Sequence, residues 1–235
     1  MYPITLEADY KREPGRVSSF FRYVLVIPWQ IVGLIYLIAA FFTHLAAWVV
    51  IIITGRQPEG IYNFNAGVLR YWMRTYGFQY LLTDAWPPFG LRPDPTYPVR
   101  IDIAPVPERQ SRLKALFRVI LAIPLFVVGW AINLLHTGAV FVSWLTIVFR
   151  GYQPAGVHNA LVFTTSWFAR FAGYLGLLTD EYTPVGAEGV QVGDTRPTAP
   201  SLPQSQEPEG RLQQSQEQQS QEPQRQEPEA PPEQS

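Results

Sequence analysis

Val24–Ile53 reads VLVIPWQIVGLIYLIAAFFTHLAAWVVIII, 30 residues without an Asp, Glu, Lys or Arg, and Val119–Phe149, VILAIPLFVVGWAINLLHTGAVFVSWLTIVF, repeats that property over 31. As a helix rising about 1.5 Å per residue, either block is about 45 Å long, against a bilayer hydrocarbon core of about 30 Å. Helices buried in a soluble core run about 8–20 residues and seldom lack charge for so long. The two blocks are therefore expected to be embedded in a membrane. The first begins roughly twenty residues in and far exceeds the apolar core of a cleavable signal, so a removable leader is not expected.

The chain-wide averages conceal this. A mean hydropathy near zero and 47% hydrophobic residues are what two apolar blocks and a polar tail average to. With 0 cysteines, disulfides, thiol catalysis and cysteine-bound metals are excluded. His44, His136 and His158 are too scattered to propose a metal site, and a net charge of −1 leaves no electrostatic footprint for nucleic acid.

Working outward from the blocks, a shift of 96 positions aligns Arg16–Pro88 with Arg112–Pro184 without a gap, and 22 of the 73 pairs are identical. They include Phe21/Phe117, Arg22/Arg118, Pro28/Pro124, Gly33/Gly129, Trp48/Trp144 and Arg74/Arg170. The chain is an internal repeat. One signature is a turn, Gly55, Gln57, Pro58, Gly60 and Asn63, answered by Gly151, Gln153, Pro154, Gly156 and Asn159. Pro58 and Gly60 are expected to break the helix and Asn63 to cap the next. The other is Leu81-Leu82-Thr83-Asp84 with Trp86 and Pro88, answered by Leu177-Leu178-Thr179-Asp180 with Tyr182 and Pro184. Ahead of each copy, Tyr2-Pro3 and Tyr97-Pro98 introduce alternating residues, Ile4, Leu6, Ala8 and Val99, Ile101, Ile103. This period predicts a short strand opening each copy, and neither strand buries enough alone, so the two are expected to pair beside the membrane surface.

These features together resemble the bacterial membrane family catalogued as domain of unknown function 4389, in two tandem copies over about residues 2–90 and 97–185. Copy two departs from the pattern at Thr183 and Val185, where copy one has Pro87 and Phe89. The resemblance implies membrane location and supplies no activity.

The expected fold is an all-α membrane protein, a tandem repeat of helical hairpins with a short strand opening each repeat. The first repeat covers 1–90, with a long apolar helix over about 17–54 and a second helix over about 61–82. The second covers 91–185, with helices over about 112–149 and 157–178. The second helix of each copy is amphipathic and carries Arg70 and Arg74, or Arg170.

Three arrangements in the membrane compete. If each copy is a two-pass hairpin, ten basic residues (Lys11, Arg12, Arg16, Arg22, Arg92, Arg100, Arg109, Arg112, Lys114, Arg118) fall on one side and two, Arg56 and Arg150, on the other. That bias agrees with the positive-inside rule and puts the N-terminus, the linker and the tail in the cytoplasm of a bacterial plasma membrane. If each block crosses once, the basic segments fall on opposite sides. Against the hairpin stand Arg70, Arg74 and Arg170, each costing about 2.5–3.5 kcal/mol at a bilayer centre. A shallow wedge held in one leaflet, with the amphipathic helices at the surface, removes that cost.

Arg22, Arg74, Asp84, Arg118, Arg170 and Asp180 are the structural or lipid-contact candidates. Asp84 and Asp180 follow a helix end, where a carboxylate needs a partner. Arg16 and Arg22, or Arg112 and Arg118, can supply it in an ion pair at the membrane boundary. Arg74 and Arg170 must pair or reach the interface, and Asp84 and Asp180 of the neighbouring copy are the leading partners. Copy two holds Asn133 and His136 where copy one holds Leu37 and Ala40. Polar groups in such a block bond between helices or line a cavity, and a symmetric pore is not expected.

No phosphate-binding glycine loop or nucleophile elbow occurs in the sequence. Residues 186–235, rich in Gln, Glu, Pro and Ser with Ser-Gln-Glu at 205, 215 and 220, predict a disordered tail. The functional expectation is a non-enzymatic membrane scaffold without catalytic residues, cofactor or metal. Its partners are the bilayer and, through the tail or strands, membrane or cytoplasmic proteins, not nucleic acid. The alternatives are a small transporter or lipid-binding protein using the cleft between the copies, and a membrane-curvature wedge.

Overall fold

The structure is a computed structural model that describes residues 2–184, 186 and 191–192, all within the compact unit Met1–Pro197. The tail expected over 186–235 lies, apart from 186 and 191–192, outside the described residues, as does Val185.

Strand β1 (Ile4–Ala8) pairs antiparallel with β2 (Val99–Ile103), Leu6 opposite Ile101. A third strand, β3 (Gln191–Val192), joins the other edge of β1 in parallel, so two residues assigned to the tail belong to the sheet. The alternation sorts the two faces. Ile4, Leu6, Ala8, Val99 and Ile101 are buried, while Thr5, Glu7, Arg100 and Asp102 lie on the opposite face, where Arg100 donates to Asp9 at 2.8 Å. One face is built for a core and the other for water.

The block expected as one helix over 17–54 is two, α1 (Arg16–Leu25) and α2 (Ile27–Thr54). Pro28 in the first turn of α2 lacks the N–H that would continue the helix, which places the break just ahead of it. Pro124 acts alike in copy two, where α4 (Arg112–Leu116), α5 (Arg118–Leu121) and α6 (Ile123–Leu145) follow one another and a π-helical turn, Thr146–Arg150, ends the block. The amphipathic helices are α3 (Glu59–Gln79) and α7 (Ala155–Leu175).

The turn between each pair of long helices works differently from its expected form. Gly55 and Gly151, at φ 72° and 78°, end the long helices in the left-handed conformation that glycine adopts without strain. Pro58 and Pro154 are the N-cap residues, whereas Gly60 and Asn63 already lie inside α3 and cap nothing. At the other end, Leu81 and Leu177 take φ 66° and 61°, and Leu82 N–H closes onto Gly77 O at 2.9 Å as Leu178 N–H does onto Gly173 O at 3.0 Å. This is a Schellman ending with leucine where glycine is usual, a cost of about 1–2 kcal/mol per residue. Burial of both leucines, at 4% and 0% exposure, offsets it, at about 1.5–3 kcal/mol each.

The layers follow from what each helix packs against. Helix α3 packs on β2 and α7 on β1, the two helices pack on each other, and α2 and α6 pack along α3 and α7. Gly77 lets α3 approach Val99, and Gly173 lets α7 approach Ile4, so each copy's amphipathic helix carries the other copy's strand.

Helices α2 and α6 lie in segments long and apolar enough to cross a membrane, and only 11% and 28% of their most apolar windows are buried. A helix in a soluble core would be mostly buried. Here Ile31, Leu34, Ile38, Phe42, Val127, Trp130 and Leu134 remain more than half exposed, the kind of apolar surface that marks a membrane, ligand or partner contact.

The turns dock across the copies. Gln110 N–H donates to Gly55 O at 2.9 Å and Gln153 N–H to Arg12 O at 2.9 Å. Trp48 Nε1 donates to Ala115 O at 3.0 Å, and Phe20 stacks on Trp144 with centroids 6.1 Å apart. The two-pass hairpin favoured by the charge bias puts turn and linker on opposite sides of a bilayer. Here the turn and the linker are in hydrogen-bond contact, so the basic segments and the turns meet in space.

Candidate functional site

Two Arg–Asp clasps hold the ends of α3 and α7. Arg22 on α1 donates through Nη1 to Phe78 O at 2.8 Å and Thr83 O at 2.6 Å, and through Nη2 to Ser18 Oγ at 3.2 Å and to Asp84. Its guanidinium stands 4.6 Å above the Phe78 ring. Asp84 also accepts from Lys11 Nζ and from Gly15 N–H, each at 3.0 Å. Burial pushes the Asp84 carboxyl up, but the Gly15 N–H, Lys11 and Arg22 together hold it below its ordinary value.

In copy two, Arg118 donates to Tyr174 O, to Thr179 O at 2.9 Å and to Asp180 at 2.6 Å, 4.7 Å above the Tyr174 ring. Asp180 accepts from Ser111 N–H at 2.7 Å. The Leu-Leu-Thr-Asp signature is thereby accounted for. The left-handed leucine turns the chain, the threonine carbonyl receives the arginine, and the aspartate closes the clasp. With their Nη1 and Nη2 donors engaged by backbone carbonyls and carboxylates, Arg22 and Arg118 are framework residues.

Neither Arg74 nor Arg170 takes Asp84 or Asp180 as its partner, because each aspartate is already held by the arginine of its own copy. Arg74 donates instead to Arg92 O at 2.8 Å and Gly90 O at 3.4 Å. Arg170 donates to Ile4 O at 3.3 Å and stands 5.3 Å from the centre of the Tyr2 ring. Both are buried, at 3% and 1% exposure, and both pin backbone that lies over their helix. Arg74 reaches the linker and Arg170 the first strand.

Gln57 and Gln153, read as turn residues, point inward. Gln153 Nε2 donates to Leu81 O at 3.1 Å and Ser143 Oγ at 2.7 Å, tying the turn of copy two to the strained leucine of copy one. At the related place, Gln110 does this for copy two, donating to Leu177 O at 2.9 Å. Gln110, Ser111 and Ser143 carried no repeat signal and were missed for that reason.

The 96-residue repeat also relates two clefts. The first, about 620 Å³, lies between α2, α3 and α7, with Leu37, Ala40, Leu69, Ala172 and Gly176 in its wall. The second, about 290 Å³, has Asn133, His136, Thr165, Tyr76 and Tyr80 at the equivalent positions. There Tyr80 meets His136 edge-on at 4.5 Å, Tyr76 stacks on Tyr80 at 5.5 Å, and His136 Nδ1 lies 2.8 Å from Thr164 Oγ1. The space those rings fill in the second cleft stays open in the first.

Among the described residues no group of three or more His, Asp or Glu could hold a metal ion. Comparison with known families matches residues 16–90 and 112–185 to the family described as Domain of unknown function (DUF4389). No curated protein and no solved structure matches the chain.

Proposed function

The chain belongs to the DUF4389 family, and from the geometry of this member we propose a one-sided membrane protein. The exposed faces of α2 and α6 lie in one leaflet, and the sheet and clasps lie in water. Its role is that of a non-enzymatic scaffold presenting the sheet and the chain beyond it at the membrane surface.

The observation that carries the reading is the contact of each turn with the other copy's entry segment, Gly55 O with Gln110 N–H and Gln153 N–H with Arg12 O. If α2 crossed a bilayer, its two ends would face opposite compartments. Its first turns bond the segment after α3, Trp29 Nε1 to Pro87 O at 2.7 Å, and its C-cap Gly55 meets the linker. The segment from Pro87 to Gln110, which carries β2, runs between those two ends of α2, so a crossing α2 would draw the polar face of Glu7, Arg100 and Asp102 into hydrocarbon. Backbone edges and charges of that kind are not tolerated there. Laid in the interface, the same layers put apolar faces in lipid and polar faces in water. The twelve basic residues near the helix ends then share one side, which favours the anionic cytoplasmic leaflet.

The test uses single cysteines in this cysteine-free chain, at Glu59 beside the turn and at Thr96 in the linker, both exposed. An impermeant thiol reagent applied to intact cells should leave both unlabelled until lysis. Labelling of Glu59→Cys alone before lysis would restore the hairpin. Insertion of two helices into one leaflet also supports a curvature role, for which narrowing of vesicles by the purified chain is the readout.

A further inference from the structure

We propose that the larger cleft holds one acyl chain of a membrane lipid, and that copy two has lost the same site by filling it. The inference rests on the one-sided membrane reading and goes beyond it by assigning a ligand to one copy.

A duplicated and fused unit begins with two equal clefts. Here the equivalent positions have diverged in one direction. Asn133, His136, Thr165 and Tyr80 bring polar groups and rings into the second cleft, where Leu37, Ala40, Leu69 and Gly176 keep the first apolar and open. At about 620 Å³, the first cleft falls within the range of about 300–1,000 Å³ typical of sites that enclose a small ligand.

Its position selects the occupant. Leu37 and Phe41 form part of the wall and are 51% and 64% exposed, and they continue the apolar stripe of Leu34, Ile38 and Phe42 along α2. The cleft is thus a branch of the lipid-facing surface, and an aliphatic chain enters it without leaving an apolar environment. A dry cavity of this size would forfeit dispersion contacts along its whole lining, which a chain supplies.

Polar groups are few, as such sites require. Asn65 lines the cleft, is 8% exposed and accepts from Thr43 at 2.6 Å through Oδ1. Its Nδ2 has no acceptor among the described residues, a donor left for the ester or carboxyl oxygen at the head of the chain. His44 stands at the end of the cleft, where a second apolar groove reaches Trp48 and Val119.

The full chain, stripped of lipid in detergent, is mixed with dioleoyl phosphatidylglycerol vesicles, floated, extracted again and weighed by native mass spectrometry. The unaltered chain floats and retains one lipid. Ala40→Phe, which fills the cleft, floats equally but retains at least about tenfold less, the change that about 1.4 kcal/mol of lost binding produces. Ile38→Phe, on the exposed face of the same helix, keeps the lipid. Ala172→Leu gives the same loss from the opposite wall and replaces Ala40→Phe if that variant unfolds. Flotation without a retained lipid, or retention by both cleft variants, overturns the proposal while leaving the membrane reading intact. Failure of the unaltered chain to float overturns both.

Discussion

The two copies share their clasps and differ in their clefts. Twenty-two of 73 aligned pairs are identical, and among them are the arginine, leucine, threonine and aspartate of each clasp, the capping glycines and the glycines against the opposite strand. Around the clefts, by contrast, Leu37/Asn133, Ala40/His136, Leu69/Thr165 and Gly176/Tyr80 all differ. Identity has been kept where a buried charge or a left-handed residue leaves no substitute, and lost where only volume and polarity are at stake. The shared framework and the divergent clefts can be tested separately.

The largest effect is expected at the clasps. Arg22→Ala and Arg118→Ala each strand two backbone carbonyls and an aspartate, and removing one partner of a buried pair costs about 3–5 kcal/mol. Thermal unfolding in detergent should show a similar large loss for both. A large loss for one and none for the other would end the claim that the clasps are equivalent.

Next comes a difference in acid response. Burial lowers the His158 imidazole from 6.5 to about 4, while the equivalent residue of copy one is Tyr62. Between those values the unfolded chain binds a proton that the folded chain does not, so stability falls as pH drops from about 6.5 to about 4, by up to about 3 kcal/mol. Asp84, held below its ordinary value, adds a loss of the same sign at lower pH. His158→Gln should remove part of the upper slope in a pH series of unfolding midpoints, the rest belonging to His136, which burial likewise lowers to about 4; an unchanged slope would assign it elsewhere.

The paired glycines sharpen the comparison further. A Cβ at Gly77 would sit 2.8 Å from Val99 Cγ2 and 3.1 Å from Cγ1, whereas at Gly173 the sole severe contact is the tip of Ile4. The branched valine cannot swing away, so Gly77→Ala should cost about 1–3 kcal/mol. Ile4 can rotate its terminal methyl, and the better helix propensity of alanine, about 1 kcal/mol, leaves Gly173→Ala close to neutral. Equal losses would contradict this account of the strand contacts.

The smallest effect separates the two turn glutamines. Gln153 makes two good bonds and Gln57 one long one, accepting from Gln110 at 3.4 Å. Gln153→Ala should therefore lose about 1–3 kcal/mol and Gln57→Ala less than about 1. The reverse order in chemical denaturation would place the anchoring glutamine in the wrong copy.

Much of this framework was legible in the amino-acid order. The offset of 96 positions, the strand alternation and the placement of Asp84 and Asp180 after a helix end pointed to two like units with a sheet and boundary ion pairs. The arrangement in the membrane was not legible, for a physical reason. Thirty uncharged residues look alike whether a helix crosses a bilayer or lies along it, and the positive-inside count assumes that segments distant in the chain stay apart in space. The docking of Gly55 on Gln110 violates that assumption through contacts between copies that no local pattern encodes. Arg74 and Arg170 were misassigned for a related reason. Among the described residues they donate to backbone carbonyls, those of Arg92 and Gly90 and that of Ile4, and every residue carries a carbonyl. The clefts were half visible, since Asn133 and His136 stood out against Leu37 and Ala40, but only the packing of α3 on α7 showed that these positions share a wall.

The central claim, that each copy's turn rests on the entry segment of the other, is tested most directly by Arg56→Cys combined with Arg109→Cys, two residues that line one polar pocket at the docked turn. A short bismaleimide applied to membranes should join them within a single chain in high yield. Absence of the link, with each cysteine reactive to a single maleimide from opposite sides of the membrane, would contradict the account.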